Sequence, residues 1–343
     1  MELTLNQNDS KESEVFLESL ELLEWPSVCS HLSTFAVTEQ ARKRCRSFNL
    51  PSHITVSQDL LNQTLEISSL DDSIEGGISF HGIHDLQNIL FICSKGGVSS
   101  GEDLLKVAET LRSARKLRKL IFDQLVRPHL SKLLLDIATL PDLQKLLEHG
   151  LDEGGRIADR ASTKLSELRR HRNALRLQRK EILQDIIRKF SGLLQDNIIS
   201  ERLGRPVLAF KSGTSEQVKG VVHDSSASGN TTYVEPQAVI SLGNQLAKLE
   251  SEITNEERRI LANWSKEVGI NSDALVYLGE ILVKLEFSLA RARYSRWLNG
   301  VPAILDEDEN SPFEIKDFRH PLLVWNNFYE KKTKVVPTSF DVS

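Results

Sequence analysis

Between Arg169 and Lys180 the chain carries six basic residues and no acid. On a helix turning 100° per residue, Arg169, Arg172, Arg176, Arg179 and Lys180 fall within an arc of about 100°. A stripe of cations on one face of a rod suits a phosphate backbone, whose counterions it would release. The competing reading is a solvated flank of paired helices, because Arg172 and Arg179 also fall on the apolar seam of this segment. A second group of cations, Arg188, Lys189, Arg202, Arg205, Lys211 and Lys219, surrounds a turn-rich stretch. There the alternatives are contact with an anionic partner and simple solubility.

Other constellations point to chemistry that their spacing does not support. Val222-His223-Asp224-Ser225-Ser226 holds the residue types of a hydrolase triad. Neighbours on a strand point to opposite faces, so these three cannot converge as a triad must. Gly96-Gly97-Val98-Ser99-Ser100-Gly101-Glu102-Asp103 is a loose imitation of a phosphate loop. A Walker loop needs Lys and Ser or Thr after its last Gly, and Glu102 and Asp103 would repel phosphate. This stretch reads as a loop in which Ser99 or Ser100 caps a helix, with acids in the first turn where the dipole favours them. No GxxxxGK[ST], H-E-x-x-H or other metal-ligand spacing occurs in the 343 residues.

The elements that must carry these residues are mostly helices. Amphipathic runs recur from 13 to 150, as in Glu14–Leu23, Thr38–Phe48, Val56–Leu70 and Asp103–Leu125, with loops at Asp71–Gly77 and Pro141. Over 156–199, positions 161, 165, 168, 172, 175, 179, 182, 186, 189 and 193 step by three and four. Ala161, Leu165, Leu168, Leu175, Ile182, Ile186 and Leu193 make that seam apolar, as in a coiled coil. A continuous helix of this length would span roughly 66 Å. Val207–Phe210, Val218–His223 and Thr231–Val234 then read as short strands separated by turn compositions. Pro236 opens a second long helix with its seam at Val239, Leu242, Leu246, Leu249, Ile253 and Ile260. The economical geometry is a hairpin, with the acidic return helix (Glu250, Glu252, Glu256, Glu257) complementing the basic outgoing one. A buried-type helix follows through Ala290 and Trp297. Asp306–Glu309 reads as a linker, and Glu314–Ile315, Leu322–Trp325 and Lys334–Val336 read as strands.

Composition agrees. Hydrophobic residues at 40% and charged residues at 27% support packed cores under a charged surface. The formal net charge of −5 hides a segregation. Residues 1–24 carry seven acids and one base, whereas residues 156–190 carry eleven bases and four acids. Three cysteines without CxxC spacing argue against a disulfide framework or zinc site, and favour a reducing compartment. No apolar run reaches membrane-spanning length, and the acidic N-terminus is neither a signal nor a transit peptide.

The order of parts, with local sequence, resembles the MutS family of DNA-repair ATPases and is most similar to its second branch, MutS-two. The most specific stretch runs from Gly220 through Val221-Val222-His223-Asp224-Ser225-Ser226-Ala227-Ser228-Gly229-Asn230 to Glu235-Pro236. It resembles that branch's clamp signature, GxVHDxSxSGxTxxxEP. Val239–Leu249 resembles the helix start that follows it. Asp152–Ser162, Gly96-Gly97-Val98, Ala290–Tyr294 and Arg319-His320-Pro321-Leu322-Leu323 are further matches, the last resembling the opening of the family's ATPase domain.

The resemblance implies a mainly α fold with six parts: a helical core (lever) over 13–155, an outgoing coiled-coil arm over 156–203, a β clamp tip over 204–236, a return arm over 237–269, the second part of the core over 270–300, and the start of an α/β ATPase domain over 312–343. It implies that the core and clamp contact DNA, duplex or branched; the basic stripe and the tip then make Arg169, Arg176, Lys180, Arg188, Lys189, Arg202, Arg205, Lys211 and Lys219 the expected DNA-facing residues. ATP, Mg, dimer closure and the nuclease activity of the branch are expected only of a longer chain, since Ser343 falls just before the expected phosphate loop. No catalytic residue and no metal ligand is expected here. Phe16-Leu17-Glu18 has the form of a mismatch reader but lies in an amphipathic helix, so Phe16 is expected in the core. Ribosome or structured-RNA binding through the same arm, and a purely protein-binding coiled-coil scaffold, are the alternatives. The resemblance places the protein in the cytoplasm of a bacterium, or in the plastid of a plant or alga.

Overall fold

The computed structural model describes residues 7–306, 312–330 and 334–342. It is mainly helical, with two small antiparallel sheets. The chain forms two compact units, one of residues 1–96, 105–145 and 267–343, the other of 97–104 and 146–266. The helices, in chain order, are α1 (Gln7–Leu22), α2 (Trp25–Ser33), α3 (Glu39–Arg46), α4 (Ile54–Ser73), α5 (Gln87–Ser94), α6 (Gly101–Ile121), α7 (Pro128–Leu133), α8 (Pro141–Gly150), α9 (Thr163–Lys189), α10 (Gln237–Ile270), α11 (Ser272–Leu298) and α12 (Pro321–Glu330). Four strands, β1 (Leu194–Arg202), β2 (Arg205–Lys211), β3 (Gly220–Ser225) and β4 (Thr231–Pro236), separate α9 from α10. The hairpin of β5 (Phe313–Phe318) and β6 (Thr338–Val342) brackets α12.

In the first unit α11 is the central element, with Leu285, Phe287, Leu289 and Ala290 buried. Phe287, Ala290 and Tyr294 pack with Leu32, Ala36, Ala41 and Cys45 of α2, α3 and the loop joining them. Two buried acids fasten neighbouring segments to α11. Glu286 accepts from the backbone N–H of Val37 and Thr38 at 2.5 and 2.8 Å and from the Thr38 hydroxyl at 2.6 Å, satisfying donors at the start of α3. Asp71 receives Arg293 at 2.8 Å, Arg296 at 3.1 Å and the Ile78 N–H at 2.7 Å. Burial works against its charge, but these donors outweigh burial and hold its carboxyl below the usual range. Asp71 lies within α4, which runs on to Ser73, so the loop read over Asp71–Gly77 begins later than the sequence suggested.

In the second unit the close approach of two loops requires glycine. A Cβ on Gly101 would overlap the Gly155 carbonyl oxygen, and Gly155, at φ +74°, faces the Glu102 nitrogen. Ser100 Oγ accepts the Asp103 N–H at 3.1 Å and caps α6, as expected.

Several sequence expectations are corrected. The outgoing helix is 27 residues long, from Thr163 to Lys189, preceded by 3-10 turns at 153–155 and 159–161. It spans about 40 Å rather than 66 Å. Residues 194–202 are strand β1, because Leu193 and Leu194 turn into the core of the sheet instead of continuing the helix seam. Leu322–Trp325 lies in α12, opened by Pro321 at its first position; four apolar residues do not distinguish helix from strand. Lys334–Val336 is coil before β6. Phe16 is 49% exposed on α1, not core. Of the linker read at Asp306–Glu309, residues 307–309 lie outside the described residues.

Candidate nucleic-acid interface on the helix pair and its sheet

In the second unit, α9 and the first part of α10 run antiparallel. Leu175 packs against Leu242, Leu246 and Leu249, with Leu168 and Ile182 alongside. All six predicted seam positions of α10 within this pairing, Val239 to Ile260, are buried. Ion pairs fix the register: Arg169 with Glu257 at 2.7 Å, Arg172 with Glu250 at 3.7 Å and Arg176 with Glu250 at 2.6 Å. Glu256 is buried and gathers Ser162, Lys164 and Arg259. Its carboxyl is held down at about 2, first by the Arg259 hydrogen bonds against the opposing effect of burial. Arg169 also donates to the Ile157 carbonyl at 2.9 Å and to Asp159 at 2.6 Å. Burial disfavours its charge, yet Asp159 and Glu257 together raise its pKa.

The basic stripe is therefore divided. Arg169, Arg172 and Arg176 face carboxylates of the return helix or the preceding turn. Lys180, one turn beyond, is exposed and has no ion-pair partner among the described residues.

The four-stranded sheet has the order β1-β2-β4-β3 with antiparallel neighbours. Leu194, Leu208, Phe210, Val218 and Val234 bury one face against Leu183, Ile186 and Phe190 near the end of α9 and Val239 at the start of α10. The cations distribute unequally over this end. Arg205 lies 3.6 Å from buried Glu235 and donates to Asn244 at 2.8 Å. Arg202 stacks over Tyr233 at 4.1 Å and faces Asp224 at 3.5 Å. Arg188 pairs with Asp185 on the helix surface. Lys189 lies over the Phe190 ring at 5.3 Å. Lys211 reaches the Gly192 carbonyl at 3.0 Å, and Lys219 is exposed on the loop before β3. Neither Lys189, Lys211 nor Lys219 meets a carboxylate among the described residues.

Within the motif segment, His223 is the extra residue of a β-bulge between Val222 and Asp224. The bulge turns its ring to Glu235, with Nε2 2.8 Å from the carboxylate. Asp224 accepts the Ser225 N–H at 2.8 Å. No hydrogen bond joins Ser225 to His223 among the described residues. The three residues hold a turn and a bulge and form no triad. Sequence reasoning did not find Glu235 as the buried partner of both His223 and Arg205; a lone acid between Val234 and Pro236 gives no periodic signal.

Arg319, His320 and Pro321 precede α12, where His320 Nδ1 accepts the Leu322 N–H at 3.3 Å. This is the start of a helix opened by proline. Among the described residues no cluster of His, Cys, Asp or Glu could hold a metal, and no helix is long and apolar enough to cross a membrane.

These elements define a class: a helical protein whose chain includes an antiparallel helix pair ending in a small, partly basic sheet. The sequence is MutS2-like. It is 40% identical over 336 residues to "Endonuclease MutS2" of Synechocystis sp., covering 98% of this chain and 41% of that protein. Proteins of the same name from Pelotomaculum thermopropionicum and Symbiobacterium thermophilum are each 32% identical, over 89% and 93% of this chain and 39% of their own lengths. The chain thus spans about two fifths of these bacterial relatives. No family model matches it.

Proposed function

We propose that this chain is the nucleic-acid-gripping part of a MutS2-type repair or recombination protein, and that its grip lies at the sheet end of the helix pair. The observation that carries this is the contrast along one basic strip. Arg169, Arg172 and Arg176 are consumed by Asp159, Glu257 and Glu250. Lys180, Lys189, Lys211 and Lys219 meet no carboxylate among the described residues, and a lysine held near a duplex without an internal counter-charge is available to phosphate. Arg202, stacked on Tyr233, adds a pre-oriented guanidinium beside them. Among the described residues Arg188 is engaged only by an exposed local pair, which phosphate can outcompete. ATP, Mg and closure of a homodimer belong, in this reading, to the longer protein. The bacterial sources of the relatives favour the bacterial cytoplasm over a plastid.

The test is a titration of purified chain against labelled duplex, four-way junction and single-stranded DNA at low and moderate salt, with structured ribosomal RNA as competitor. A variant with Arg188, Lys189, Lys211 and Lys219 changed to Glu is run alongside, its folding checked by circular dichroism. Salt-sensitive DNA binding that the folded variant loses is the expected result. Preferential displacement by the RNA would move the reading to ribosome or RNA binding through the same residues. Absence of binding at low salt would overturn the grip.

A further inference from the structure

The C-terminal half of α6, in the first unit, carries Arg115, Lys116, Arg118 and Lys119 within five residues. Lys116 and Lys119 are exposed, and Arg115 and Arg118 are half-buried. None of the four has an ion-pair partner among the described residues. The acids flanking them in sequence are occupied: Glu109 with His84 at 2.7 Å and Asp123 with Arg127 at 3.8 Å. The helix dipole accounts for cations in the last turn. It gives no reason for Arg115 and Lys116, which lie a turn earlier.

The loop that follows adds a second, independent feature. Leu125 is 96% and Val126 65% exposed. They are displayed by a built turn. Asp123 Oδ1 accepts the N–H groups of both residues at 3.1 Å. The Asp123 N–H is held by Ser131 Oγ at 2.9 Å, and Arg127 Nε donates to the Ile121 carbonyl at 2.8 Å. A turn with no further duty would place polar residues at these two tips. Scattered exposed apolar residues are ordinary; two adjacent ones on a hydrogen-bonded turn just beyond the exposed Lys116 and Lys119, with Arg118 lying over the Phe122 ring at 5.1 Å, are a composite surface.

Cations beside an apolar tip match one partner chemistry closely: a phosphate backbone whose neighbouring bases are unstacked, as at a branch point or unpaired end. We infer that the end of α6 and the 122–127 loop form a second nucleic-acid contact, with Lys116 and Lys119 on phosphates and Leu125 and Val126 against exposed base faces. The inference rests on the proposed function for its partner class and adds a separate surface that reads strand branching.

The test uses the full chain and two exposed-residue variants, Lys116→Glu/Lys119→Glu and Leu125→Ser/Val126→Ser, beside the variant with Arg188, Lys189, Lys211 and Lys219 changed to Glu. Affinities for a four-way junction, a plain duplex and phosphatidylserine vesicles are measured over a salt series. The lysine variant is expected to lower the salt slope by about two, one per lost phosphate contact. The Leu125/Val126 variant is expected to bind duplex as the parent does and to lose its preference for the junction. Both variants matching the parent on both DNAs would overturn the inference, and if the sheet-end variant alone lost binding the proposed function would survive it. Loss in the α6 variants with full binding by the sheet-end variant would sustain the inference and sink the sheet-end reading. A parent that binds neither DNA overturns both. Loss of binding only to phosphatidylserine vesicles, with DNA binding intact, would assign the surface to a membrane and also overturn it.

Discussion

Arg169 separates a structural from a binding role for the basic stripe. Its side chain is 20% exposed and makes three charge-assisted contacts, to the Ile157 carbonyl, Glu257 and Asp159. The carbonyl bond of a largely buried guanidinium contributes about 1–1.5 kcal/mol. The Glu257 pair, partly shielded, adds about 1 kcal/mol, and the Asp159 pair, whose acid is 63% exposed, adds only a few tenths. Arg169→Gln should therefore cost about 2–3 kcal/mol, which for a unit of this size lowers Tm by about 5–10 °C. Because the residue faces inward across the pair, DNA affinity of the folded variant should change less than about twofold. Thermal unfolding by circular dichroism and anisotropy titration on the same preparation read both quantities. An unchanged Tm with a large loss of affinity would refute the reasoning and return Arg169 to the binding surface. Arg176→Glu, at a pair whose arginine is 52% exposed, should show the same pattern at reduced size.

Other consequences are equally direct. The Glu256 carboxyl is held at about 2 against an ordinary 4.5, so its contribution is complete above pH 4.5 and is lost as pH falls towards 2; Glu256→Gln should flatten the acid limb of the stability–pH curve of the second unit. Asp71→Asn leaves Arg293 and Arg296 without their shared buried anion and should destabilise the first unit by about 3 kcal/mol in urea titration. Gly155→Ala combines a positive φ with overlap on the Glu102 nitrogen, and a loss of about 3 kcal/mol is expected in the same assay. Leu175→Ala removes a buried side chain between α9 and α10 and should cost about 2–5 kcal/mol.

Periodicity by itself determined the antiparallel helix pair. The three-and-four stepping of apolar residues marked the buried positions of α10 from Val239 to Ile260 and much of the α9 seam, because a helix repeats its face every 3.6 residues whatever surrounds it. Turn composition marked three of the four strands of the sheet between them. The motif residues from Gly220 to Pro236 carried the family likeness. What lay beyond reach were choices made by contacts distant in sequence. The end of α9 depended on Leu193 and Leu194 joining Phe210 and Val234 in the sheet core, a preference local pattern does not encode. α12 is a helix where four apolar residues fitted either element, and Trp325 packs against the aromatic core formed by α2 and α11. Above all, the sequence set out a strip of cations but not their partners. Whether an arginine serves phosphate or protein is decided by the carboxylate that folding brings within 3 Å of it. For Arg169 and Arg176 that carboxylate comes from a helix more than seventy residues away.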